Sequence, residues 1–451
     1  MKADFFKKLT DKNYALLILC KGIFPIFAQF QMHMKLLLKQ VRIISPASPF
    51  HQLQKDILIQ NGKIQLIEDH IAEEADQVIT GDDLHVSIGW MDMFAHFADP
   101  GAEHRETIAT GAIAAAAGGF TDVMIIPNTK PVIDSKTQVE YVLKSAKDLP
   151  VNIYPIGAIT KNTEGKELAE MYDMYHSGAI AFSDGTKPVQ QANIMIKALQ
   201  YALAHQTLTI QLPDDTSISN HGLINEGVIS TQLGLPGKPS IAEKLIIARD
   251  IELMKYTGAR LHFTGISTQK SLNMILAAKQ EGWPVTCSVT PYHLYFCDED
   301  LQAYNTHLKV NPPLRNRTDH MALQAAFQRG DIDALATHHQ PLHWDDKTCE
   351  FEYAKYGMIG LETAFAVANE ITNDLSSLIK MLTLTPRQLT GVSVPEIEVG
   401  AKACLTIFEP STTYTFTKDM VKSRSYNTPF IGKTLKGKVR GIINNNQSYF
   451  N

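Results

Sequence analysis

Apolar positions in this 451-residue chain follow two rhythms. Near both ends they alternate with polar residues at period two, the spacing of a half-buried strand. Residues 36–44 do so, and the runs 56–60 and 63–67 flank Asn61-Gly62, which predicts a hairpin with a two-residue turn. The stretches 405–408, 437–443 and 447–450 repeat the strand pattern near the C-terminus. Between these ends, short apolar runs alternate with longer segments of helical period. Eight strands are predicted there, at 86–94, 121–126, 152–158, 179–182, 207–211, 260–264, 285–289 and 332–337. Helical segments intervene, among them 107–117, 138–146, 241–256 and 268–281. Eight strand–helix units fit a closed (β/α)8 TIM barrel. An open doubly wound sheet is the rival, and it is weakened because no GxGxxG follows the first strand.

The expected architecture is therefore α/β. A barrel spans 89–390, and a small β-sandwich satellite is assembled from 34–88 and 391–451. Residues 1–33 read as a leader: a Lys-rich start, then an apolar run at 15–28 interrupted by Lys21. That run is too short to cross a bilayer. A signal peptide ending near Ala28 is the alternative to an upstream start before Met32 or Met34. The net charge of -5 gives no basic field for nucleic acid. Five scattered cysteines without a CxxC pair suit a reducing, cytoplasmic compartment.

Barrels carry chemistry at the C-terminal ends of their strands. Those ends read Phe94-Ala95-His96-Phe97-Ala98, Pro127-Asn128-Thr129, Phe182-Ser183-Asp184-Gly185, Gln211-Leu212-Pro213-Asp214, His262-Phe263-Thr264-Gly265 and Thr337-His338-His339-Gln340. Together with Asn225-Glu226-Gly227, Thr290-Pro291-Tyr292-His293-Leu294 and Lys309-Val310-Asn311-Pro312-Pro313-Leu314-Arg315, they resemble the dihydroorotase branch of the metal-dependent amidohydrolases over nearly all of 36–443. The resemblance implies the barrel with a satellite from both chain ends, and substrate-contacting roles for Asn128 and Asn311. It also implies a metal-holding histidine at 96, kept here as His96, further metal-holding side chains at 94, 211, 265 and 338, and a carboxylate-gripping arginine at 98; the last five positions are altered. This chain has Phe94, Gln211, Gly265, His338 and Ala98 there. Phenylalanine and glycine offer zinc no donor, and glutamine is a poor replacement for imidazole.

Losses from the first strand to the last lead to the expectation of a catalytically inactive chain without a cofactor, like the non-catalytic members of the family. It would serve as a scaffold or regulatory subunit for aspartate transcarbamoylase in pyrimidine synthesis. A homodimer is expected, with no nucleic-acid or membrane partner. The alternative is an active amidohydrolase of the dihydroorotase type, cutting a cyclic amide C–N bond with zinc in an altered site. Without an arginine at 98, a carboxylated substrate loses its bidentate partner. A rebuilt metal set would draw on His96, Asp184, His262, His338 and His339. His338 could instead serve as a base near neutral pH. On an extended strand, however, adjacent His338 and His339 point to opposite sides. A third reading is a ligand-binding barrel that uses Asn128 and Asn311.

Overall fold

The computed structural model describes residues 31, 32 and 35–451. The predicted leader lies outside them, apart from a two-residue strand, Gln31–Met32, paired with Gln447 and Ser448. Eight parallel strands stand side by side in chain order: Trp90–Ala95, Phe120–Ile125, Asn152–Gly157, Ala181–Phe182, Leu208–Gln211, Leu261–Phe263, Val285–Val289 and Ala334–Leu335. The eighth returns to the first. Ala95 bridges His339 in parallel, and the His96 amide donates to the His339 carbonyl at 2.8 Å. Buried Asp92 completes the closure, its carboxylate accepting from the Thr337 amide at 2.8 Å and the Thr337 hydroxyl at 2.6 Å.

The strands are apolar on both faces because both are covered. Met91, Met93, Met124, Ile156, Leu208 and Ile210 pack together in one cluster. Trp90, Phe120, Val123, Leu261 and Val289 join a second cluster with the surrounding helices. Helix Ile108–Ala117 starts at Thr107, whose side chain accepts from the Thr110 amide, and its run of alanines lets it lie close to the sheet.

The predicted strand 86–94 is in fact two. His85–Ile88 belongs to the satellite sheet, between Lys35–Ile43 and Leu405–Thr415, and the barrel begins at Trp90. Gly89 lies at the break, pressed so close to Thr121 that a Cβ would overlap its side chain. The satellite is a nine-stranded sheet built from strands before 89 and after 404. Leu38, Val41, Ile57, Ile59, Val86, Leu405 and Ile407 fill its core, which joins the two chain ends.

Candidate active site

A cavity of about 280 Å³ opens at the C-terminal end of the barrel strands. Phe94, His96, Leu212, Tyr292, Asn311, His338 and His339 form much of its wall. The two adjacent histidines both reach it, contrary to the alternation of an extended strand. The reason is local: the eighth strand ends at Leu335, and His338 adopts a left-handed φ of 46°. That conformation is costly for a residue with a Cβ and is kept where surrounding structure holds it.

His338 is packed by two of the altered positions. Its ring lies 4.5 Å from the Phe94 ring, centroid to centroid, tilted by 33°. Gly265, at φ 69°, leaves space for the ring; a Cβ there would sit 2.7 Å from His338 Cε1. Phe94, Gly265 and His338 thus form one packing unit, and the 265 position is empty because the imidazole fills it. Burial pushes His338 down to about 3, and nearby His293 and His262 push in the same direction. It is therefore not the base near neutral pH that its residue type suggested.

Of the other sequence-selected residues, His96, Asn311 and His339 share the cavity wall with His338, whereas Gln211, Ala98, Asn128, Asp184 and His262 lie outside its lining. Gln211 is spent on the barrel wall, donating to the Val189 carbonyl at 3.3 Å and to Asp250 Oδ2 at 3.1 Å. Ala98 is buried at a left-handed φ of 55°. Asn128 ties two loops, with Nδ2 donating to the Asp184 carbonyl at 3.0 Å and Oδ1 accepting from the Thr186 amide at 2.9 Å. Asp184 is held by the Thr160 amide at 2.8 Å and by the Thr160 hydroxyl, and burial raises its carboxyl to about 6. His262 has both ring nitrogens engaged, at 2.9 Å from Thr286 Oγ1 and 3.0 Å from Ser288 Oγ. His96 Nε2 lies 3.1 Å from the Asn128 carbonyl, and burial pushes its ring down to about 4. His339 Nδ1 accepts from the Gly360 amide at 3.2 Å, and its Nε2 stands 3.7 Å from Glu106.

This donor set does not fit the family's metal. His262 has both ring nitrogens engaged and Asp184 is bound through both oxygens to Thr160, and among the described residues no group of three or more His, Cys, Asp or Glu side chains is placed to hold an ion. Of the rebuilt set suggested by residue type, His96, His338 and His339 reach the cavity and Asp184 and His262 do not. Two buried ring nitrogens of the mouth, His96 Nδ1 and His339 Nε2, have no hydrogen-bond partner. Buried polar groups are seldom left in that state unless water or a ligand completes them.

A buried lysine at this mouth carried no sequence signal. Lys238 Nζ donates to Asp214 Oδ2 and to Asn311 Oδ1, each at 2.6 Å. Burial holds Lys238 below the usual lysine range, against the pull of Asp214. An ammonium only donates, so it fixes Asn311 Oδ1 on its side and leaves the Asn311 NH2 for the cavity. Its segment, Gly237-Lys238-Pro239, reads in the sequence only as a turn. Nearby Arg315 is paired with buried Glu243 at 3.5 Å.

Comparison with known proteins places these observations in a lineage. Residues 85–271 match the family described as Dihydro-orotase-like. The chain is 41% identical over 413 residues to a dihydroorotase of Syntrophus aciditrophicus (strain SB), covering 90% of this chain and 97% of that protein. It is 40% identical over 410 residues to a dihydroorotase of Pelotomaculum thermopropionicum, covering 90% and 96%. In structure it resembles an L-hydantoinase (dihydropyrimidinase) from Arthrobacter aurescens, with a TM-score of 0.79 at 21% identity over 91% of this chain and 95% of that one.

These relatives overturn the expectation that the chain belongs with non-catalytic members as a scaffold, and the expectation that it is not an enzyme. Proteins 37% to 41% identical to it over nearly their whole length are named for the activity. The altered positions are changes within an enzyme lineage.

Proposed function

We propose that this chain, which belongs to the dihydroorotase family, hydrolyses the C–N bond of a cyclic amide at a barrel mouth whose metal-holding positions have been altered. The observation that carries the reading is the 41% identity, over 97% of its length, to a protein named dihydroorotase. The mouth supports it with a small concave volume of mixed lining, in which Phe94, Ile126 and Leu212 stand beside polar side chains such as Asn311 and His338. Asn311, its Oδ1 fixed by Lys238, has its NH2 to offer there, and Leu212 and Phe94 add apolar wall. The reaction needs only water as co-reactant. Its oxygen joins the carbonyl carbon, the ring C–N bond breaks, and the nitrogen leaves with a proton.

No helix among the described residues is long and apolar enough to cross a membrane. A cytoplasmic homodimer remains part of this proposal. The test is turnover of dihydroorotate by the purified full chain, made in a host lacking its own dihydroorotase, with and without added zinc. Ring opening above the blank is expected, and none under either condition would remove the reading.

A further inference from the structure

Five side chains in the barrel interior form an unbroken hydrogen-bond relay that ends at the mouth. Thr286 Oγ1 lies 2.9 Å from His262 Nδ1, and His262 Nε2 lies 3.0 Å from Ser288 Oγ. Ser288 donates to Thr264 Oγ1 at 3.0 Å, and Thr264 Oγ1 lies 2.7 Å from His338 Nε2. The protons follow once the Ser288–Thr264 bond is taken with Ser288 as donor, since each hydroxyl has one to give. Ser288 spends its proton on Thr264, so it must accept from His262, and His262 carries its proton on Nε2. His262 Nδ1 is then the acceptor for Thr286. Thr264, which is buried and already accepts from Ser288, has His338 Nε2 as its remaining acceptor. His338 Nε2 therefore takes a hydrogen bond, and the ring proton sits on Nδ1. The ring's hydrogen bond to protein runs through Nε2, and the ring forms part of the cavity wall, which leaves Nδ1–H for a ligand there.

We propose that His338 is a catalytic residue whose Nδ1–H donates to the carbonyl oxygen of a cyclic amide bound in the mouth, and that Thr264, Ser288, His262 and Thr286 are positioning residues that fix this tautomer. The ligand class rests on the reading under Proposed function; the tautomer does not. A hydrogen-bond donor aimed at the developing oxyanion acts where the carbonyl electron pair moves onto oxygen as water adds to carbon. Collapse returns that pair, breaks the C–N bond and releases the nitrogen with a proton derived from water. An uncharged imidazole can be such a donor when its surroundings keep it from protonating. Phe94 against one face and the empty 265 position hold the ring in place. Donors in series also polarise one another, which strengthens the last N–H of the chain.

The test is 15N NMR of the full chain labelled at histidine, at neutral pH. His338 is expected as a single tautomer, protonated at Nδ1 and bare at Nε2. Thr264→Val should release it into a mixture of tautomers, and Thr264→Ser should restore the single form. A ring protonated at Nε2, or an imidazolium, in the wild type overturns the inference. Titration with dihydrouracil and with dihydroorotate should move the Nδ1 resonance for at least one of them; no movement with either also overturns it. In turnover, His338→Phe should lower kcat about a hundredfold with a smaller change in KM. Thr264→Val should lower kcat about tenfold, with rescue by Thr264→Ser. A wild type without turnover would remove the enzymatic reading, whereas the tautomer and titration results would still decide the donor. Should His338→Phe fail to fold, the Thr264 pair gives the answer.

Discussion

The two ends of the barrel treat buried polarity in opposite ways. At the foot, where the strands begin, Asp122 accepts from Asn152 at 2.9 Å, Tyr154 at 3.2 Å and Arg387 at 2.5 Å. Arg387 also donates to the Thr383 carbonyl at 3.0 Å, and Asn444 to the Pro150 carbonyl at 2.8 Å. The polar side chains of the foot satisfy one another. At the mouth, by contrast, His96 Nδ1 and His339 Nε2 are buried without a hydrogen-bond partner. The foot holds the larger cavity, about 670 Å³ against about 280 Å³. Volume is therefore the wrong guide here. Unspent hydrogen-bonding capacity distinguishes a site from a well-built joint, because a ligand can complete only what the protein leaves open.

The sharpest way to break this contrast is at the foot. Arg387→Met leaves the Asp122 carboxylate buried without its cation, both side chains being nearly inaccessible. Removing one partner of such a pair costs about 3–5 kcal/mol. Urea unfolding should show that loss while ligand binding at the mouth is unchanged. A loss below about 1 kcal/mol would mean the pair does not hold the foot together.

The mouth is broken more gently through Gly265. A methyl group there meets His338 Cε1 at 2.7 Å, on a backbone at φ 69°. Gly265→Ala is expected to cost about 1–3 kcal/mol. The steric part belongs to the His338 ring, so His338→Ala should recover some of it. Strict additivity in a double-mutant cycle would refute the claim that 265 and 338 form one packing unit.

Such coupling explains what was legible in the sequence and what was not. The eight strands could be read because each is a short apolar run between helical segments, and the strand ends could be read because barrels place their chemistry there. The damage at 94, 211, 265 and 338 was visible as residue types. That Gly265 makes room for His338 was not, since a separation of 73 positions in sequence says nothing of an Å-scale contact. Strand alternation misplaced His338 and His339 because one left-handed φ reset the direction of the chain. The relay through Thr264, Ser288 and His262 was equally hidden: hydroxyl residues on two neighbouring strands look like ordinary filler until their register is known. Lys238 escaped notice because a lysine in a turn is normally solvated.

A smaller effect separates the neutral histidines of the mouth and barrel interior from ordinary ones. Burial holds His262 at about 3, against an ordinary value of 6.5. An unfolded chain takes up that proton near its ordinary value, and the native chain refuses it. Each such histidine withdraws stability as pH falls below the ordinary value, at up to about 1.4 kcal/mol per pH unit. Asp92 and Asp184 act in the opposite sense, since burial raises both to about 6 and the native chain protonates first. The wild-type slope is the balance of these. His262→Gln should make the loss of stability on acidification shallower by about 1 kcal/mol per pH unit between pH values of about 6 and 4. An unchanged slope would show that His262 is not held neutral.

The smallest expected effect tests the lysine at the mouth. Lys238 contributes no free charge, because Asp214 neutralises it at 2.6 Å; its part is to hold Asn311 Oδ1. Lys238→Met alone would strand Asp214, so the informative variant is Lys238→Met with Asp214→Asn, which removes both charges together. Asn311 is then free to turn, and the binding of a cyclic amide loses about one well-oriented hydrogen bond. That is on the order of 1 kcal/mol, or about fivefold in KM, with kcat nearly unchanged because the carbonyl donor at His338 is untouched. A fall in kcat at constant KM would instead place Lys238 in the chemical step. No change in either would leave Asn311 outside the ligand's reach, and the polar end of the pocket would then have to be sought at His96 and His339.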